Sequence, residues 1–181
     1  NRGCRNTLWA LLDQEVIVNN AEFSPRRSRS ILALLCIRRI AKDVKEYNTF
    51  DWYVRSVSTC IRAIVDSGVL LDPLRGLEDR LRLIGEDLMF EESEEYVFLM
   101  AFALSKLLRT IVSDERYEES SLGCVGSDDD PSQWDVAHVC SLIYSLNHAD
   151  VDEKMAKAEF WSWYLSIAVS QAISIDVNLR K

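Results

Sequence analysis

Three aspartates in a row, Asp128, Asp129 and Asp130, with Asp135 shortly after them, are the first residues whose type and spacing suggest chemistry. Carboxylates in such a run hold magnesium when a helix lines them along one face. Pro131 follows at once, and proline is not tolerated in a helix interior, so these aspartates belong to a loop and a helix start. Two accounts compete: an Asp-based magnesium site, or a helix cap beside solvated loop charges. Imidazole is scarce, with only His138 and His148 in the chain. A di-iron bundle needs two Glu-x-x-His pairs on facing helices, whereas Asp135-x-x-His138 stands alone. The pattern calls for no metal and no cofactor.

Nucleophilic catalysis finds no better support. The chain has no Gly-x-Ser-x-Gly step and no glycine-rich phosphate loop. Its five cysteines, Cys4, Cys36, Cys60, Cys124 and Cys140, are odd in number, widely spaced and without a CxxC pair. Cys36, Cys60 and Cys140 fall in apolar periodic stretches, where a reduced thiol acts as a small hydrophobe; this usage fits a cytoplasmic protein. Arg26-Arg27-x-Arg29 stands at a helix start. Free N–H groups and guanidinium groups there suit an anion, or else the turn is solvated and pairs with acidic residues elsewhere. In Phe160-Trp161-x-Trp163-Tyr164, helical spacing puts Phe160, Trp161 and Tyr164 on one face and Trp163 on another.

The elements that must position these residues all read as helices. Leu8, Leu11, Leu12 and Val16 give a stripe over residues 7–18. Ser24-Pro25 caps and opens a second helix, which runs to about Tyr47 with Ile31, Leu34, Leu35, Ile37, Ala41 and Val44 inward. Thr49 is placed to cap a third over residues 50–66, burying Val54, Val57, Ile61, Ile64 and Val65. Asp72-Pro73 opens a fourth, with Leu74, Leu77, Leu81, Ile84 and Leu88 in register; Gly76 and Gly85 weaken it. Ser93 precedes a fifth whose middle is apolar nearly all round, the mark of a central helix. Residues 113–130 form one long acidic loop. Asp130-Pro131 starts the next helix, with Asp135 near its third or fourth position, and Asp150 or Asp152 starts the last. The expectation is an all-α, single-domain bundle of six or seven helices over residues 1–181.

The chain is 48% hydrophobic and 28% charged, an ordinary globular mix. No apolar run approaches the ~18 residues of a membrane span, and no signal peptide is evident. Charge is uneven. Residues 1–66 carry eleven Lys and Arg against seven Asp and Glu, while residues 67–181 carry ten against twenty-two. Such an acidic half repels phosphate, which argues against nucleic acid as a partner. It aids solubility, or it meets a basic partner.

Phe23-Ser24-Pro25-Arg26-Arg27-Ser28-Arg29, residues 32–40, Asp130-Pro131-Ser132-Gln133-Trp134-Asp135 and Phe160-Trp161-Ser162-Trp163-Tyr164-Leu165 through Ala172 resemble the all-helical immunity proteins of bacterial polymorphic toxin systems. Leu146-Asn147 and Ser170 depart from the pattern, which has small residues and a proline there. The resemblance implies a cytoplasmic, non-enzymatic inhibitor that binds a cognate toxin domain, with no nucleic-acid or membrane partner. It leaves the oligomeric state open. Pro25, Arg26, Arg29, Pro131, Trp134, Asp135, Phe160, Trp161, Trp163 and Tyr164 carry the motifs and are expected to serve folding. Toxin contact is expected at the acidic groups Glu91, Glu92, Glu94 and Glu95, Glu118 and Glu119, and Asp128, Asp129 and Asp130. The alternative is a helical ligand-binding or regulatory domain for a small apolar molecule.

Overall fold

The computed structural model describes residues 25–66, 71–112 and 135–179, and among them the backbone is helical with no strand. In chain order come α1 (Pro25–Asp43), a 3-10 turn (Lys45–Thr49), α2 (Asp51–Val65), α3 (Leu71–Phe90), α4 (Glu95–Val112), α5 (Val136–Asn147), α6 (Glu153–Trp163), a π turn (Tyr164–Ala168) and α7 (Val169–Leu179). Trp163, Tyr164 and Val169 all keep right-handed helical dihedrals, so α6, the π turn and α7 form one unbroken rod. The architecture is the all-α bundle that the periodicity requires. The expected helix over residues 7–18 and the loop over residues 113–130 lie outside the described residues.

Helix α4 is the centre, as its all-round apolar middle demands, and α1, α2, α3 and α5 pack against it. Leu99, Met100, Leu104, Leu107 and Leu108 are fully buried there, and each contributes about 1.5–3 kcal/mol through the area it removes from water. Helix α3 has its extensive packing against α4 alone among the described elements. Gly85 permits that contact, because a Cβ at this position would stand 3.0 Å from the Phe102 ring. The Arg109 Nε lies 2.6 Å from the Glu78 carboxylate and ties the same two helices.

Four expectations are corrected. Helix α1 ends at Asp43, and the chain tightens into the 3-10 turn because Tyr47 turns inward. Its hydroxyl donates to the Tyr96 carbonyl at 2.7 Å. Thr49 does not cap α2: its hydroxyl donates to the Glu46 carbonyl at 2.7 Å, and Phe50 takes the cap position with extended backbone and no side-chain bond.

Helix α2 is also rotated from its expected face. It buries Tyr53, Ser56, Cys60 and Ile64, and leaves Val54, Ile61 and Val65 44%, 46% and 56% exposed. The aromatic decides this, since Tyr53 stacks on Tyr47 with centroids 5.4 Å apart, and a ring brings more buried area than a valine.

Helix α5 begins at Val136, later than Asp130-Pro131 suggested, and Asp135 is its N-cap and not an interior residue. Asp135 has extended dihedrals (φ −73°, ψ 167°), and its Oδ1 accepts from the His138 backbone N–H at 2.7 Å. That bond satisfies one of the donors every helix start leaves open.

Candidate functional site

Two regions gather the residues singled out in the sequence. The first is the corner between α3 and α4. Helix α3 ends in the pattern in which Ser93 N–H donates to the Leu88 carbonyl at 3.0 Å and Glu92 N–H to the Met89 carbonyl at 3.2 Å. This Schellman-type end needs a left-handed residue at its penultimate position, ordinarily glycine. Here Glu92 fills it, at φ 57°. Glu91, Glu92, Glu94 and Glu95 are all exposed, as a surface contact requires, and no ion pair among the described residues reaches them. Glu94 and Glu95 stand at the start of α4, where the helix dipole welcomes them. Glu91 and Glu92 stand against the carbonyl end of α3, where it does not, and no basic residue occupies the last turn of α3.

Phe90, at the tip, is 90% exposed. Sequence reasoning passed it over, although a signal existed: Phe90 falls off the stripe of Leu74, Leu77, Leu81, Ile84 and Leu88, two residues past its end. Met89 and Leu83 flank it, 47% and 49% exposed.

The second region is the junction of α1, α5 and α6, where the motif residues converge. Phe160 and Tyr164 are buried, and Trp161 is 9% exposed. Trp161 meets Phe160 edge-on at 5.6 Å and Tyr164 at 5.1 Å. Burial pushes the Tyr164 phenol well up, helped by Cys36, Asp135 and Cys140 and opposed by the Arg29 cation. Arg29, Asp135 and Tyr164, which come from three separate motifs, therefore share one electrostatic neighbourhood. Burial also raises the Cys36 and Cys140 thiols, with Cys140 and Asp135 adding to the rise at Cys36 and Asp135 to that at Cys140. Such thiols are poor nucleophiles.

Within the arginine-rich turn, Arg27 is partly buried and Ser28, Arg29 and Ser30 are buried. It does pair with the acidic half of the chain: Arg27 Nε lies 3.3 Å from Asp176, whose side chain is wholly buried, and Ser28 Oγ donates to the same carboxylate at 3.1 Å. Asp176 bore no mark in the sequence, because a lone aspartate near a helix end resembles a solvated one. Pro25 is the first residue of α1 and Arg26 follows it. Trp163 does not point to a separate face as expected: its half-buried ring lies 5.5 Å from that of Phe160, with the Arg39 guanidinium over it at 5.6 Å and over Tyr144 at 5.8 Å. Asp135 and His138 meet through a helix cap and not through the imidazole. The His148 ring stacks on Tyr144 at 3.9 Å, its Nδ1–H donating to the Tyr144 carbonyl at 2.8 Å.

Glu118, Glu119, Asp128, Asp129, Asp130, Pro131 and Trp134 lie outside the described residues. Among the described residues no group of three or more His, Cys, Asp or Glu is placed to hold a metal, and no helix is long and apolar enough to cross a membrane.

Comparison with known proteins agrees with this convergence of motifs. No curated protein matches the chain. The family model described as Immunity protein Imm5 matches residues 1–171, a stretch that takes in every motif residue of the junction. The chain belongs to the Imm5 immunity protein family, and its general role is immunity.

Proposed function

We propose that this chain is a non-catalytic, cytoplasmic inhibitor that binds and neutralises a cognate bacterial toxin domain. The family match over residues 1–171 carries the reading. The geometry supports it in two ways. Side chains with reactive types, Cys36, Cys140 and Tyr164, are buried in the junction with raised pKa values. The exposed carboxylates Glu91, Glu92, Glu94 and Glu95 occupy one projecting corner. Toxin domains that act on nucleic acid carry basic clefts, and an acidic corner steers association with such a surface and covers it. Glu118, Glu119, Asp128, Asp129 and Asp130 are proposed to extend this acidic contact. The motif residues Pro25, Arg26, Arg29, Pro131, Trp134, Asp135, Phe160, Trp161, Trp163 and Tyr164 are proposed to hold the scaffold and to make no toxin contact.

The test is to look for a neighbouring gene that encodes a large secreted protein with a variable C-terminal domain, and to co-express this chain with that domain. Growth is expected to be rescued, with a complex recoverable from the cells. Toxin-killed cells despite abundant folded chain would end the proposal. Affinity measured at rising salt is expected to fall, and a flat response would remove the electrostatic part.

A further inference from the structure

We propose that Phe90 anchors a docking face made by α3 and the α3–α4 corner, and that this face seats in an apolar pocket rimmed by lysine and arginine on a protein partner. This rests on the immunity reading above, in which that partner is the toxin domain.

The apolar element comes first. Phe90 is 90% exposed, Leu83 49% and Met89 47%. Leu83 and Phe90 are seven residues apart, two helical turns, and so lie one above the other on α3, with Glu86 and Asp87 between them. The face they share is available because α3 packs extensively on α4 alone among the described elements. A phenylalanine left almost wholly in water forfeits the gain of burying its ring, and aromatics of this kind supply much of the energy of protein contacts when a pocket receives them.

Charge then selects the partner. No lysine or arginine occurs between Arg82 and Lys106, while Glu86, Asp87, Glu91, Glu92, Glu94 and Glu95 all do. Glu86 is engaged by Arg82 at 2.8 Å. No ion pair among the described residues reaches the other five, Asp87, Glu91, Glu92, Glu94 and Glu95. Phosphate backbones and anionic membranes are repelled by this rim, and so is a second copy of the same face. A pocket rimmed by basic side chains is attracted to it and is oriented by it.

Three local rules are broken within three residues. The exposed Phe90 lies at the tip, Glu91 faces the carbonyl end of α3, and Glu92 takes a backbone conformation suited to glycine. A corner built only to turn the chain has none of these features, and violations of this kind collect where function overrides stability.

The experiment measures calorimetric affinity of wild type, Phe90→Ala, Glu91→Gln with Glu92→Gln, and Ile167→Ala for the toxin domain used in the rescue. Ile167 is 53% exposed on the π turn and serves as an apolar control away from the corner. Phe90→Ala is expected to weaken binding by roughly 100-fold. The double glutamine variant is expected to lose about tenfold and part of its salt dependence, and Ile167→Ala to bind as wild type does. Circular dichroism melts of Phe90→Ala and Ile167→Ala are expected to coincide with wild type, because those side chains are exposed, and the double glutamine variant is expected to melt no lower, since it removes charge from the carbonyl end of α3. If wild type binds and Phe90→Ala binds within twofold of it, this inference is overturned and the immunity reading stands. If wild type neither binds nor protects, both fall.

Discussion

The α1–α5–α6 junction and the α3–α4 corner solve opposite problems. At the junction every local choice agrees with the fold. Pro25 is the first residue of α1, Asp135 caps α5, Phe160, Trp161 and Tyr164 fill the space between helices, and Asp176 meets Arg27 and Ser28. At the corner the local choices conflict with the fold, in an exposed phenylalanine, acids on a carbonyl end and a left-handed glutamate. Among the described residues, the motif side chains Arg29, Phe160, Trp161 and Tyr164 are buried, whereas the exposed Phe90 and the glutamates beside it belong to none of the motifs that carry the resemblance.

Alkali tests the buried side of this comparison, the junction together with the core thiol of α2. Burial pushes the Cys60 thiol from 9.0 up to about 12, and raises Cys36, Cys140 and Tyr164 as well. Between pH 9 and about 12 the folded chain keeps a Cys60 proton that the unfolded chain has released. The unfolded state binds fewer protons there, so stability is flat below pH 9 and falls as pH rises through this window. Thermal melts at pH 8, 10 and 11.5 are expected to show a steep loss across the last two, and equal melting temperatures would contradict the burial of these groups.

Phe160→Ala should act next most strongly. The ring is 1% exposed and touches Tyr144, Trp161, Trp163 and Tyr164, so its removal is expected to cost about 3–5 kcal/mol of stability. Urea unfolding measures it. A loss below about 1 kcal/mol would mean the junction is loosely packed and the contrast with the corner is false.

Asp176→Ala follows, at about 3 kcal/mol, because it leaves Arg27 and the buried Ser28 without their shared carboxylate. Asp176→Asn keeps an acceptor for Ser28 and should recover part of the loss. If the two variants unfold at the same urea concentration, the ion pair supplies the whole effect and the serine bond none.

Helix content, the central place of α4 and the inward face of Phe160, Trp161 and Tyr164 were legible in the sequence, because each follows from apolar spacing alone. The face of α2 was not. Of the expected face, Ile64 is buried and Val57 partly so, but Val54, Ile61 and Val65 are exposed, and the turn toward Tyr53, Ser56 and Cys60 depends on Tyr47, which arrives from the preceding turn. The start of α5 was misplaced because Asp130-Pro131 and Asp135 are both good starting signals, and only the backbone shows which one caps. At the candidate site the glutamates were legible as charge, whereas Phe90 showed in the sequence only as a residue off the α3 stripe, and its exposure follows from how α3 packs among the described elements.

The smallest effect is the most discriminating, since it carries opposite signs in the two measurements. Glu92→Gly removes a side chain from φ 57°, a conformation that costs a non-glycine residue roughly 1–2 kcal/mol. It also removes a charge from the carbonyl end of α3. Against these gains stands the greater freedom that glycine gives the unfolded chain, about 0.4–1 kcal/mol. The net expectation is a variant more stable by about 0.5–1 kcal/mol, read by urea unfolding, that nevertheless binds the toxin domain more weakly. A variant that gains stability and keeps full affinity would show Glu92 to be an accident of the turn. One that loses both would show that Glu92 holds the corner together, and the division between a satisfied junction and a strained contact surface would fail at its most strained residue.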